Sequence, residues 1–190
     1  TTLYNLGTSA NGTNNPQMSL NNVSFVDEKG GVLSYVPNDN SYSSAEDYTY
    51  LNDFTYNVWF KANSINNEWM VLTSRNNYNL QIGMFANNPS GAYIDFYDDN
   101  TGVDIYNDGG DPQIVPNKWY NATVVHTEGT GTKLFLDGVL ISEDTNTPNL
   151  YNENTGTFYI GGTGDSATVF DGQIGHVARY DLSLIHISEP

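Results

Sequence analysis

The sequence predicts an all-β domain, an antiparallel sandwich or barrel, on three observations. Gly, Asn, Asp, Ser and Pro interrupt the chain roughly every eight to twelve residues, so no stretch carries the i, i+3, i+4, i+7 apolar stripe of a helix. Between the interruptions, apolar residues alternate with polar ones at the period of a half-buried strand. In KLFLDGVLI (133–141), Asp137-Gly138 separates two β-rich runs and supplies the two positive-φ positions of a type I′ hairpin turn.

Taken in order, FTYNVWFK (54–61) sets Phe54, Tyr56, Val58 and Phe60 on one face, with Thr55, Asn57, Trp59 and Lys61 opposite. NLQIGMF (79–85) alternates Leu80, Ile82 and Met84 with polar or small residues. In AYIDFYD (92–98) Ala92, Ile94 and Phe96 face one way, and Tyr93, Asp95 and Tyr97 the other. Segments 119–127, 132–136, 139–142, 157–160 and 173–180 continue the series. The polar run 37–47 and the acidic runs 98–111 and 143–156 read as loops, and the Asn-rich 1–22 as partly irregular. There is no internal repeat and no interdomain linker.

A length of 190 residues suits one domain that buries its core without a disulfide. Aromatic residues make up 13% of the chain, which separates it from disordered acidic sequences. Six Lys plus Arg among 22 Asp plus Glu give a formal charge of −16, and so sparse a set of cations cannot line a phosphate backbone. Nucleic acid is therefore excluded as a partner. No apolar run approaches the ~20 residues of a membrane span, so no membrane insertion is expected. With no Cys, thiol nucleophiles and thiolate metal sites are absent. Residue 1 is Thr and no leader is visible, as expected of a mature fragment or excised domain. The acidic, Asn-, Thr- and Ser-rich surface suits an extracellular setting.

Four segments carry a family resemblance: FTYNVWFKAN (54–63), NKWYNATVVHTEGTGTKLFLDGVLI (117–141), GTFYIGG (156–162) and VFDGQIGHVARYDLS (169–183). In this order and spacing they resemble the laminin-G-like, concanavalin-A-like lectin/glucanase superfamily. The resemblance implies a two-sheet antiparallel jelly-roll sandwich over 1–183, one sheet often curved into a groove. It further implies a non-catalytic recognition module, carbohydrate-binding or adhesive, of a larger secreted, cell-surface or virion protein. The expected partner is a glycan or a surface protein. A structural or decoration role in a virion or surface assembly is the alternative, and glycoside hydrolysis a third reading. Family members usually place an acidic residue, which can help hold calcium, where this chain has Gly175. Residues 184–190 (LIHISEP) depart from the pattern and resemble translated adaptor read-through, so His186 is given no role.

The catalytic members carry E-x-D-x-E on one strand. The comparable segment here keeps Asp95 but has Tyr93 and Tyr97 where the flanking carboxylates stand. One carboxyl group does not make the acid and nucleophile pair of a retaining hydrolase; a second could come from Asp98, Asp99 or Asp104, but these lie in a loop and in a polar run, so no catalytic residue is assigned. No nucleophile elbow, H-E-x-x-H or Walker loop is present, and Gly161-Gly162-Thr163-Gly164 reads as a loop. His126 and His176 lie in predicted strands, and each reads as a hydrogen-bonded histidine of the sandwich rather than a metal ligand. Calcium is the metal whose oxygen chemistry suits the run Asp98, Asp99, Asn100, Asp104 and Asp108, with Asp111 beside it. For sugar binding, Tyr93 and Tyr97 are expected to stack on pyranose faces while Asp95 accepts from hydroxyls. Trp69 and Tyr106 sit near loops and are the ligand candidates of an alternative loop-edge site, and Trp59 either joins the Tyr93 face or packs under a neighbouring loop. The sequons at Asn11, Asn22 and Asn121 carry no assignment.

Overall fold

The computed structural model describes residues 3–4, 17–27, 32–35, 41–47, 53–65, 69–75, 79–85, 92–98, 103–106, 113–145, 156–164 and 168–180. The alternating runs become strands with their apolar faces turned toward each other across two antiparallel sheets. No helix occurs among the described residues. In chain order the strands are β1 (Leu3–Tyr4), β2 (Gln17–Asn21), β3 (Ser24–Val26), β4 (Val32–Tyr35), β5 (Tyr42–Asp47), β6 (Phe54–Ala62), β7 (Trp69–Arg75) and β8 (Asn79–Phe85). They continue with β9 (Tyr93–Asp98), β10 (Val103–Tyr106), β11 (Trp119–Thr127), β12 (Gly131–Leu136), β13 (Val139–Asp144), β14 (Gly156–Ile160) and β15 (Gly172–Tyr180). One sheet runs β1-β2-β5-β14-β7-β8-β9-β10, the other β13-β12-β11-β6-β15-β4-β3.

The core lies between them. Phe54, Tyr56, Val58 and Phe60 of β6 are buried as the alternation requires, with Met70, Leu72, Ile82, Met84, Ile94 and Phe96 facing them from the other sheet. Tyr56 stacks on Phe158 of the opposite sheet at 5.9 Å between centroids, and Phe60 meets Phe170 edge-on at 6.1 Å. Each such side chain contributes about 1.5–3 kcal/mol by leaving water. His126 is buried, stacked on Phe54 and within 2.8 Å (Nδ1) of Thr132 Oγ1, a histidine of the sandwich interior. His176 is instead exposed on β15.

Two sequence signals resolve into local physics. Asp137 and Gly138 take φ of 51° and 79°, the pair of positive values a type I′ turn needs, and join β12 to β13. In Phe170-Asp171-Gly172, Phe170 enters the core while Asp171 Oδ2 accepts from Ser64 Oγ at 2.6 Å and Oδ1 from Asn63 Nδ2 at 3.1 Å. The motif thereby clasps the entry of β15 to the end of β6.

Two expectations are corrected and one strand goes unforeseen. The acidic run 98–111 is not loop throughout: Val103–Tyr106 forms β10, paired antiparallel with β9. The polar run 37–47 contains β5, which pairs with β2 and β14. Trp69–Arg75 forms β7, for which alternation gives no signal because the strand is buried on both faces from Met70 onward. The 173–180 run is a strand with a register shift between Ile174 and Val177, across Gly175 and His176.

Candidate functional site

The outer face of the eight-stranded sheet, turned away from the core, carries a grid of side chains set by strand register. Trp69, Phe85 and Tyr93 stand opposite one another across β7, β8 and β9. One step along, Gly83 faces Asp95, which in turn faces Tyr106 of β10. One step further, Gln81 faces Tyr97, and Tyr97 faces Asp104. These residues, Gly83 apart, line an open groove of about 450 Å³.

The aromatic members form a continuous row. Ring centroids are 6.0 Å apart for Trp69 and Phe85, 5.6 Å for Phe85 and Tyr93, and 5.5 Å for Tyr93 and Tyr106. Gly83 is what admits the indole: a Cβ at this position would lie 2.6 Å from both Cη2 and Cζ2 of Trp69. Any larger residue would displace the ring, so the glycine shapes the groove by absence.

Asp95 occupies the centre of the grid. It is only 7% exposed, and its Oδ1 is buried without a hydrogen-bond partner. Burial among these rings pushes its carboxyl up to about 8, and the neighbouring Asp104 charge and their mutual hydrogen bond push the same way. Asp104 is also raised above the usual carboxylate range by desolvation, while the hydrogen bond from Asp95 acts in the opposite sense. Asp95 therefore holds the proton and donates it toward Asp104. Both shifts keep protons on the pair to higher pH than on free carboxylates.

All five residues expected to contact a ligand, Tyr93, Asp95, Tyr97, Trp69 and Tyr106, line this one groove. Trp59 does not join them. It is 43% exposed on β6, in the other sheet and facing outward. Three lining residues were not assigned to it from sequence. Gln81 and Phe85 fall on the face opposite Ile82 and Met84, where alternation could have found them. Asp104 was grouped with the acidic run instead. The expected calcium set is divided by the sheet. Asp98 follows Ile94 and Phe96 and is fully buried, whereas Asp104 projects into the groove on the opposite face. These two cannot serve one ion, because successive strand residues point to opposite sides. Asp99, Asn100 and Asp108, with Asp111, lie outside the described residues. Among the described residues no group of three or more His, Asp or Glu converges for a metal. The groove does not fit calcium by itself, offering two carboxyls and one amide against roughly six to eight oxygen ligands.

Comparison with known families agrees with the architecture. The chain belongs to the concanavalin A-like lectin/glucanases superfamily, whose Laminin_G_3 model matches residues 33–185. Among solved structures it is similar to domain 4 of AbnA, a GH43 extracellular arabinanase from Geobacillus stearothermophilus, in complex with arabinotriose. That match has a TM-score of 0.63 at 15% identity, covering 93% of this chain and 86% of the other. It is also similar to the binding domain of botulinum neurotoxin DC in complex with SialylT, with a TM-score of 0.68 at 14% identity. There the alignment covers 96% of this chain but 48% of the toxin chain, so this chain spans about half of that domain. A native heptameric SAP-like pentraxin from Limulus polyphemus matches with a TM-score of 0.56 at 12% identity, over 80% of this chain and 68% of that one. At these identities the likeness establishes the fold. No curated protein matches in sequence. Among the described residues, no helix is long and apolar enough to cross a membrane.

Proposed function

We propose that this domain is a non-catalytic carbohydrate-recognition module of a larger secreted, cell-surface or virion protein, and that the groove over β7–β10 is its sugar site. The observation that carries the reading is the aromatic row Trp69–Phe85–Tyr93–Tyr106 beside the hydrogen-bonding groups Gln81, Asp95 and Asp104. Pyranose rings offer an apolar C–H face to such rings and hydroxyls to such polar groups. Two of the similar solved structures are described in complex with sugar ligands, arabinotriose and SialylT, in keeping with this use of the fold.

The reading as a binder rather than a hydrolase rests on which carboxyls the strands supply. Asp95 and Asp104 both line the groove, and each shifts the other's proton affinity. A retaining glycosidase holds its carboxyls about 5–5.5 Å apart and an inverting one about 6.5–9.5 Å, with sugar or water between them. On β9 Asp95 is flanked by Tyr93 and Tyr97, so the strand supplies one carboxyl where the catalytic members place three. The test is a broad glycan array, followed by a reducing-end assay on every glycan bound. Binding without turnover supports the proposal, and turnover lost in Asp95→Asn would make the domain an enzyme. Absence of binding across the array would favour the structural role, for which the exposed Val139 and Leu140 on edge strand β13 offer a surface.

A further inference from the structure

The groove holds more negative charge than a neutral sugar requires. Its centre is the Asp95–Asp104 pair, and no Lys, Arg or His stands among the described residues that line it. Asp95 lines the groove, and its Oδ1 is buried without a hydrogen-bond partner. A buried acceptor left unsatisfied is a cost to the fold, which a ligand donor that reaches it by a small shift of the wall relieves. The surrounding wall is aromatic: Trp69 over Gly83, Tyr93 beside Asp95 on its own strand and Tyr106 directly across from it. A hard metal ion would find too few oxygens here. An organic ammonium instead forms charge-assisted hydrogen bonds to carboxylates and is attracted to ring faces.

We propose that the groove selects glycans containing an unacetylated amino sugar, whose ring stacks on the aromatic row while its ammonium donates to Asp95 and Asp104. This rests on the carbohydrate reading and narrows it to a chemical class. Acetylated amino sugars lack the charge, and acidic sugars would meet a carboxylate with no cation beside it. The titratable groups facing Asp95 are Tyr93 and Tyr97 on β9 and Asp104 and Tyr106 on β10, while Gln81, Gly83 and Phe85 of β8 and Trp69 of β7 do not titrate. An arriving ammonium therefore acts on the protons that this carboxyl pair holds. It favours the ionised form of Asp95, so binding releases a proton to solvent.

The test is calorimetric titration of the full chain with a glucosamine hexamer, an N-acetylglucosamine hexamer and cellohexaose. It is run near pH 5.5, where the amino groups of the glucosamine hexamer already carry their protons, at about 0.15 M salt and in two buffers of different ionisation enthalpy. The expected result is at least about tenfold tighter binding of the glucosamine hexamer, with proton release that the two neutral oligomers do not show. Asp95→Asn and Asp104→Asn should each erase the preference. Glu143→Gln, which removes one charge from the edge strand β13, should keep it. Equal binding of all three oligomers overturns the amino-sugar inference while leaving the carbohydrate reading standing. Equal loss in Glu143→Gln also overturns it, since the preference would then belong to the acidic surface as a whole. Failure of all three to bind overturns it too, and the broad array then decides the carbohydrate reading separately.

Discussion

Replacing Asp95 with Asn should make the protein more stable at neutral pH, because the buried carboxyl is a cost that the fold carries. Its proton is held up to about pH 8 in the folded state, against 3.8 for an unperturbed Asp. The folded form thus binds more protons than the unfolded form between these values. Stability is full below about pH 4 and falls as pH rises toward 8. At 1.36 kcal/mol per pH interval of unit size, the loss between about pH 4 and pH 7 is on the order of 4 kcal/mol from this one group. The amide introduced by Asp95→Asn would keep a donor toward Asp104 and bury no charge. The assay is urea unfolding of wild type and Asp95→Asn at a series of pH values, followed by circular dichroism. The two should coincide near pH 4 and diverge upward, with the variant a few kcal/mol more stable at pH 7. Parallel profiles across this range, or a variant less stable at pH 7, would refute the reasoning. A gain in stability with a loss of binding is the trade expected where a site is strained for function.

Other consequences follow from single contacts. Gly83→Ala should push the Trp69 indole out of its seat, shifting the tryptophan emission and weakening ligand binding several-fold, since stacking contacts are each worth about 0.5–1.5 kcal/mol; unchanged emission and affinity would contradict the packing described. Asp171→Ala removes the acceptor for Ser64 and Asn63 and should lower unfolding free energy by about 1–2 kcal/mol, measured from the denaturant midpoint, without altering the groove. His126 has its pKa lowered by burial, although Asp53 and Asp98 oppose that shift. Its contribution to stability is present above about pH 6.5 and lost as pH falls through the lower folded value, so His126→Gln should show a shallower acid loss than wild type in the same unfolding series.

The parts of the fold legible in sequence are those where one face of a strand is apolar and the other wet. β6, β8, β9 and β11 to β15 were found this way, and the Asp137-Gly138 turn joined two of them without further information. β7 was hidden because a strand buried on both faces does not alternate, and β5 and β10 because short polar or acidic runs resemble loops. The groove was half legible. Tyr93, Asp95 and Tyr97 share a face by simple period-two counting, and nothing shifts their register. Their partnership with Phe85, Gln81 and Asp104 depends on which strands are neighbours, and that pairing is set by tertiary packing. The same gap explains the division of the calcium set. Acidic residues close in sequence look like one cluster until the strand pleat sends Asp98 inward and Asp104 outward.

The central claim is that sugar binds on the aromatic row over β7–β10. It is tested most directly by the affinity of Tyr93→Ala relative to wild type for the strongest glycan found on a broad array, with folding of the variant verified by circular dichroism. Tyr93 stacks between Phe85 and Tyr106 at the middle of the row, so its removal should weaken binding roughly three- to tenfold. A folded variant that binds the glycan as tightly as wild type would contradict the account.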